Sequence, residues 1–99
     1  MAGYFYILAN ITNEVLYKGS TTDLIRRTYE HKNHMYKGSF SDTYNVTRLI
    51  YFERYDDIRQ ARDRENQIGK WSRDKKNKMI SKMNPKWKDL YWDLVSMCK

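Results

Sequence analysis

The sequence predicts a small α+β domain, a three-stranded antiparallel sheet flanked by helices in the order ββαβααα. Three observations carry this expectation. Two short apolar and aromatic runs, residues 4–9 and 15–17, are separated by the turn residues Thr12, Asn13 and Glu14, as in a hairpin. Residues 46–55 form a third run rich in β-branched and aromatic residues. The remaining segments carry helical spacing and helix stops. With 99 residues the chain has the length of one domain, residues 1–99, with a thin core.

The second run of the hairpin continues into Lys18-Gly19-Ser20. Thr22 before Asp23 marks a helix start with Thr22 as N-cap. The helix covers residues 23 to about 33, with Leu24, Ile25 and Thr28 facing inward. Residues 34–45 are polar and aromatic around Gly38 and read as a loop. In the third strand, Val46, Ile50 and Phe52 fall on one side and Leu49 and Tyr51 on the other, so both faces are covered. Asp56-Asp57 opens a helix to about Lys70, with its acidic residues where the helix dipole favours them. Trp71 and Ser72 interrupt it, and residues 73–83 form another helix, stopped at Asn84-Pro85. Trp87, Leu90, Tyr91 and Leu94 follow i, i+3, i+4, i+7 spacing, which marks a final amphipathic helix.

Composition narrows the function classes. No stretch approaches the ~18 consecutive apolar residues of a membrane span, and no hydrophobic leader follows Met1, so the expectation is a soluble chain in the cytoplasm. The one cysteine, Cys98, allows neither an internal disulfide nor a cysteine-based zinc site. The net charge is +7 and nine residues are tyrosine. Residues 1–69 hold ten Lys/Arg against nine Asp/Glu, whereas residues 70–99 hold nine against three. This basic segment is either a solvated face or a phosphate-binding one, and an anionic partner, nucleic acid above all, suits it.

Three sets of residues bear on chemistry. Ile58, Ala61, Glu65 and Ile68 step by three, four and three along one helix face, so Glu65 interrupts a face that should be buried. A carboxylate there is paired with an arginine, reaches water at the helix edge, or is aimed into a cleft to hold a hard cation. Arg27 and His31 are i, i+4 on one helix, as a phosphate clamp and its proton-handling neighbour would be, or as two residues of a solvated face. Tyr6 and Tyr17 sit on the two hairpin strands, either as core residues or as neighbours at a site. Gly19 nearby permits close backbone approach.

Taken together, Tyr4-Phe5-Tyr6-Ile7-Leu8, Leu16-Tyr17-Lys18-Gly19-Ser20, Asp23-Leu24 through Arg27 to Glu30-His31, Ala61 to Glu65 and Ile68, then Asn84-Pro85 and Trp87, resemble the GIY-YIG nuclease domain. The resemblance is to its small stand-alone bacterial branch and covers about residues 3–92. It implies that Tyr6 and Tyr17 are the two motif tyrosines and Gly19 the second motif's glycine. It also implies that Arg27 contacts the scissile phosphate, that His31 stands where relatives have His or Tyr, that Glu65 is the single metal-binding carboxylate, and that Asn84 lies near the leaving group. Two positions depart from the pattern. The first motif lacks its glycine, and Lys18 stands where an aliphatic residue is usual. Lys18 alternates away from Tyr17 and is expected to be solvated.

The resemblance implies a divalent-metal-dependent endonuclease that hydrolyses phosphodiester bonds with one Mg²⁺ or Mn²⁺ on Glu65. Its partner is nucleic acid, DNA ahead of RNA, in repair or recombination. Water is deprotonated by Tyr6 or Tyr17, with His31 as the base's partner or the base itself. Arg26, Lys75, Lys76 and Lys78 contribute phosphate contacts. The alternatives are a non-catalytic nucleic-acid-binding module or a protein-interaction domain on the same fold. No membrane partner is expected, and the oligomeric state is left open.

Overall fold

In the computed structural model, which describes residues 1–97, strand β1 (Gly3–Ala9) lies at the centre of the sheet. It pairs antiparallel with β2 (Leu16–Thr21) on one side and with β3 (Arg48–Tyr55) on the other. The helices are α1 (Leu24–Lys32), α2 (Phe40–Tyr44), α3 (Ile58–Gly69), α4 (Arg73–Met83) and α5 (Tyr91–Met97). Cys98 lies outside the described residues. No helix among the described residues is long and apolar enough to cross a membrane.

Both faces of the sheet are covered, as the two-sided apolar pattern of β3 requires. Phe5, Ile7 and Ala9 of β1 meet Ala61 and Ile68 of α3 and Ile80 of α4. Tyr6 and Leu8 point the other way, toward Leu24 of α1 and Leu90 and Tyr91 near α5. Strict alternation fails in β3. Ile7 pairs with Tyr51 and Leu8 with Leu49, so Ile50 is the extra residue of a β-bulge. Ile50 and Tyr51 therefore both join the α3 side, while Val46, Leu49 and Phe52 join the α1 side. The expected grouping of Ile50 with Val46 and Phe52 is corrected by this bulge.

Three helix boundaries also differ from expectation. The N-cap of α1 is Asp23, whose carboxylate accepts from the Arg26 amide at 3.1 Å. Thr22 lies one residue ahead of the cap, and Thr21 Oγ1 holds the cap residue in place by accepting the Asp23 amide. The segment 34–45 is not all loop. Ser39 caps the five-residue helix α2, and Asn45, with φ 55°, ends it in the left-handed region. The order is thus ββααβααα. The final helix starts at Tyr91, because Trp87 has φ 51° and the Lys88 amide is turned onto Asn84 Oδ1.

Residues 84–90 follow the outer edge of β3. Leu49 donates its amide to Asp89 Oδ1 at 3.1 Å and accepts from the Leu90 amide at 2.7 Å. Asn84 Nδ2 donates to the carbonyl of Ile50 at 3.0 Å. On the α3 side, Glu53 is buried to about four-fifths and is held by Arg64, Tyr51 and Tyr55. A buried carboxylate satisfied by three donors fixes the position of α3 on the sheet.

Candidate active site

The hairpin register determines where the tyrosines go. Tyr6 pairs with Gly19 and Leu8 with Tyr17. Tyr6 and Tyr17 are therefore diagonal neighbours on the face that α1 covers, not direct partners. The Tyr6 ring is buried and crosses over Gly19. A Cβ at residue 19 would stand 2.4 Å from Tyr6 Oη and 2.5 Å from its Cζ. Any side chain here collides with a ring that has nowhere to move. Gly19→Ala is expected to destabilise the fold by about 1–3 kcal/mol. In a domain of this size each kcal/mol lowers the melting temperature by about 4–8 °C, which a circular dichroism melt reads directly.

Burial pushes the Tyr6 hydroxyl well above the ordinary tyrosine value. The charges of Tyr17 and Glu65 add to the rise, and that of Arg27 opposes it. The groups predicted to work together are thus electrostatically in reach of one another. His31 comes off the buried face of α1, with Leu24 and Thr28. Its Nε2 is 3.5 Å from Tyr6 Oη and its Nδ1 is 2.8 Å from Ser41 Oγ. The tautomer with hydrogen on Nδ1 satisfies both contacts, Nδ1–H donating to Ser41 and Nε2 accepting from Tyr6. Burial, reinforced by the Arg27 charge, drives His31 down to about 4, so its ring is neutral near pH 7. The Tyr17 ring packs against His31 at a tilt of 57°, with ring centroids 5.4 Å apart.

Arg27 reaches this cluster from one side and opens onto water on the other. With Arg26, Thr21, Asp23, Glu30 and Tyr36 it lines a polar cleft. Glu30 stands 3.4 Å from Arg26 Nε and 3.5 Å from Arg27 Nε, and accepts the Tyr36 hydroxyl. The Tyr36 hydrogen bond first, then the two arginines, hold the Glu30 carboxyl below its ordinary range. A phosphate entering the cleft must compete with this carboxylate. Glu30→Gln is expected to tighten nucleic-acid binding and to steepen log affinity against log salt by about one unit, since another guanidinium becomes available to phosphate. Fluorescence anisotropy across a salt series measures both.

Glu65 resolves the break in the apolar face of α3. β2 is an edge strand, and Glu65 sits where α3 meets that edge. Ser20 Oγ donates to Glu65 Oε1 at 2.8 Å, and Lys18 Nζ is 3.6 Å from Oε2. A quarter of the Glu65 side chain is exposed, on a groove also lined by Leu16, Tyr17, Lys18 and Phe40. Of the three settings the sequence left open, the arginine partner is replaced by a lysine, and the carboxylate also opens onto a groove and water. Lys18, expected to be solvated, is an ion-pair partner instead. Its stem passes over Gly69, where a Cβ would stand 2.7 Å from Lys18 Cε.

A hard divalent cation fits this donor set in one way. No cluster of three His, Cys, Asp or Glu side chains is present among the described residues. Glu65 thus offers one carboxylate with a serine hydroxyl beside it. Mg²⁺ is suited to that, since it retains water and takes one or two carboxylates together with substrate phosphate oxygens. Binding requires the Lys18 ammonium to move off Oε2.

The remaining candidates lie elsewhere. Asn84 is buried beside β3, at the edge of the sheet far from β2. Its side-chain amide donates to the carbonyls of Ile50 and Lys88 and accepts from the Lys88 amide. The structure does not bring it to Tyr6 and Glu65. Arg26 is exposed at the cleft mouth. On α4, Lys75 Nζ lies 4.1 Å over the Trp71 ring, Lys76 lines a small hollow with Lys18, and Lys78 is exposed. Sequence reasoning missed Ser20, Ser41 and Glu30. Ser20 follows Gly19 directly and alternates onto the α3 face, and Glu30 is i+4 from Arg26, so both had a positional signal. Ser41 had none.

A family model described as the GIY-YIG catalytic domain matches residues 2–79, a range that holds Tyr6, Tyr17, Arg27, His31 and Glu65 and stops short of Asn84. The chain is 33% identical over 82 residues to a UPF0213 protein of Syntrophus aciditrophicus, covering 83% of this chain and 92% of that one. It is 35% identical over 78 residues to a UPF0213 protein of Clostridium perfringens, covering 79% and 82%. The solution NMR structure of a UPF0213 protein from Bacillus halodurans superposes with a TM-score of 0.57 at 25% identity, over 90% of this chain and 93% of that one. The sheet, the two hairpin tyrosines, the helix arginine and the α3 carboxylate thus come with a family match over most of the chain, which belongs to the GIY-YIG nuclease family.

Proposed function

We propose that the protein is a divalent-metal-dependent endonuclease that hydrolyses phosphodiester bonds in DNA. The observation that carries this is Tyr17 on the edge strand: its ring packs against His31, which in turn meets the Tyr6 hydroxyl, and it lines the groove that holds Glu65, while Arg27 opens from the helix of His31 into a polar cleft. Glu65, with the Ser20 hydroxyl beside it, would hold one Mg²⁺ or Mn²⁺, which would supply Lewis-acid polarisation of the phosphate and charge for the leaving 3′-oxygen. Arg27 draws the scissile phosphate into the cleft and offsets charge building on its non-bridging oxygens. Tyr6 takes a proton from the attacking water as its own hydroxyl proton passes to His31 Nε2. Ser41 holds the ring in the tautomer that can accept it. Arg27 lowers the proton affinity of His31 in the free protein. Burial is the larger cause of that lowering; a phosphate that neutralises Arg27 removes only the smaller contribution of its charge.

Arg26 and the α4 lysines Lys75, Lys76 and Lys78 contact phosphates away from the scissile one, without reading bases. A role in repair or recombination accords with this. A second reading, a binding module without chemistry, is favoured by the Lys18–Glu65 pair, which already balances the carboxylate. Incubation with supercoiled plasmid in Mg²⁺ or Mn²⁺, and in EDTA, separates the two. Nicking that requires the metal is the expected result. Binding without nicking on plasmid, branched or single-stranded DNA would replace the nuclease by the binding module.

A further inference from the structure

The short helix α2 presents two chemically different faces. Ser41 points inward and bonds His31, while Phe40 and Tyr44, four residues apart, share the outer face with ring centroids 4.7 Å apart. Phe40 is 48% exposed and Tyr44 49%, so half of each ring is left in water by a helix that is otherwise firmly tied. Ser39 caps it, and Asp42 binds both the Gly38 amide and His34. Phe40 also stacks on Tyr17, with an interplanar angle of 25°, and forms a wall of the groove that holds Glu65. An aromatic face is thus fixed at the lip of the site. Cationic Arg26 and Arg27 lie in the adjoining cleft, and Lys37 lies just before α2.

Exposed rings beside a cationic cleft match the two parts of a nucleotide, its base and its phosphate. In a continuous duplex the base faces are stacked on each other and closed to such a platform, whereas an unpaired nucleotide offers one. We propose that Phe40 and Tyr44 stack an unpaired nucleobase next to the scissile phosphate, so that the domain selects phosphodiester bonds flanked by single-stranded nucleotides, as in gaps, flaps, loops and free strands. This rests on the nucleic-acid reading of the site given above and names its substrate class. Because Ser41 lies on the same five-residue helix, docking of a base on the outer face also sets the position of the hydroxyl that orients His31.

Binding in EDTA isolates this proposal from cleavage. Fluorescence anisotropy with a labelled oligothymidylate and a duplex of equal length is compared for the unaltered protein, Phe40→Ala, Tyr44→Ala and Phe40→Trp, each checked by a thermal melt. Phe40→Ala is expected to weaken single-strand binding about tenfold and duplex binding less than about twofold, with Phe40→Trp retaining the single-strand affinity. Tyr44→Ala is expected to act in the same direction. Equal loss on both probes, or no loss on either from both alanine variants, overturns the proposal. So does loss of single-strand affinity in a well-folded Phe40→Trp. A change in sedimentation without a change in DNA affinity also overturns it and assigns the face to self-association. Metal-dependent nicking by the unaltered protein is read separately, so the nuclease reading can stand or fall without this one.

Discussion

Glu65→Gln is expected to abolish the proposed metal-dependent cleavage, with a loss of at least about 10²–10³-fold, while the protein stays folded. The amide keeps the volume and still accepts the Ser20 hydroxyl, but it lacks the charge that a hard cation requires. The ion pair with Lys18 is lost at little cost, because both side chains are partly in water and exposed pairs contribute ~0–1 kcal/mol. The melting temperature should therefore move by only a few degrees. Nicking of plasmid in Mg²⁺ by the purified variant, alongside a thermal melt, measures both outcomes. Cleavage at the level of the unaltered protein would remove Glu65 from the mechanism. Loss of fold together with loss of activity would make it a structural residue.

The second large effect is on stability against pH. His31 is buried neutral, pushed down to about 4 from an ordinary value of 6.5. Between those values the unfolded chain binds a proton that the folded protein refuses. Stability due to His31 is therefore present in full above 6.5, falls as the pH drops through this window, and is gone near 4. The loss amounts to about 3 kcal/mol, a large part of the stability of a domain this small. Urea denaturation of the unaltered protein and of His31→Gln, at about pH 7.5 and about pH 4.5, isolates the contribution. The variant should show a flatter dependence, with the difference confined to the window. Parallel curves would mean that the imidazole is protonated in the folded protein with no penalty.

The architecture was readable because its signals are local. The hairpin follows from two apolar runs and a turn, and α3 from an apolar face with acidic residues at its start. Glu65 stood out because it interrupts an apolar helix face, whereas Tyr6, Arg27 and His31 had only their spacing and owed their expected roles to the family resemblance. What stayed hidden depends on partners distant in the chain. The bulge at Ile50 arises from pairing with β1 and leaves no mark in residues 46–55 themselves. Helix α2 is only five residues long, too short for periodicity, and is stabilised by Ser39, Asp42 and the hydrogen bond that His31 Nδ1 donates to Ser41. Lys18 looked solvated because strand alternation says which face a side chain takes, not that a carboxylate from α3 waits there. Trp87 had the spacing of a helical residue, but the turn on Asn84 puts it in a backbone conformation that no helix contains.

The seam of residues 84–90 along β3 has a consequence for how these molecules meet one another. A bare outer strand offers its amides and carbonyls to any extended chain that arrives, including an identical neighbour. Here the Asp89 carboxylate, the Leu90 amide and the Asn84 side chain already occupy Leu49 and Ile50, the positions where such a chain would begin to zip. The seam as a whole thus blocks strand-by-strand growth at this end of β3, and the Lys32–Asp89 ion pair pins it to α1.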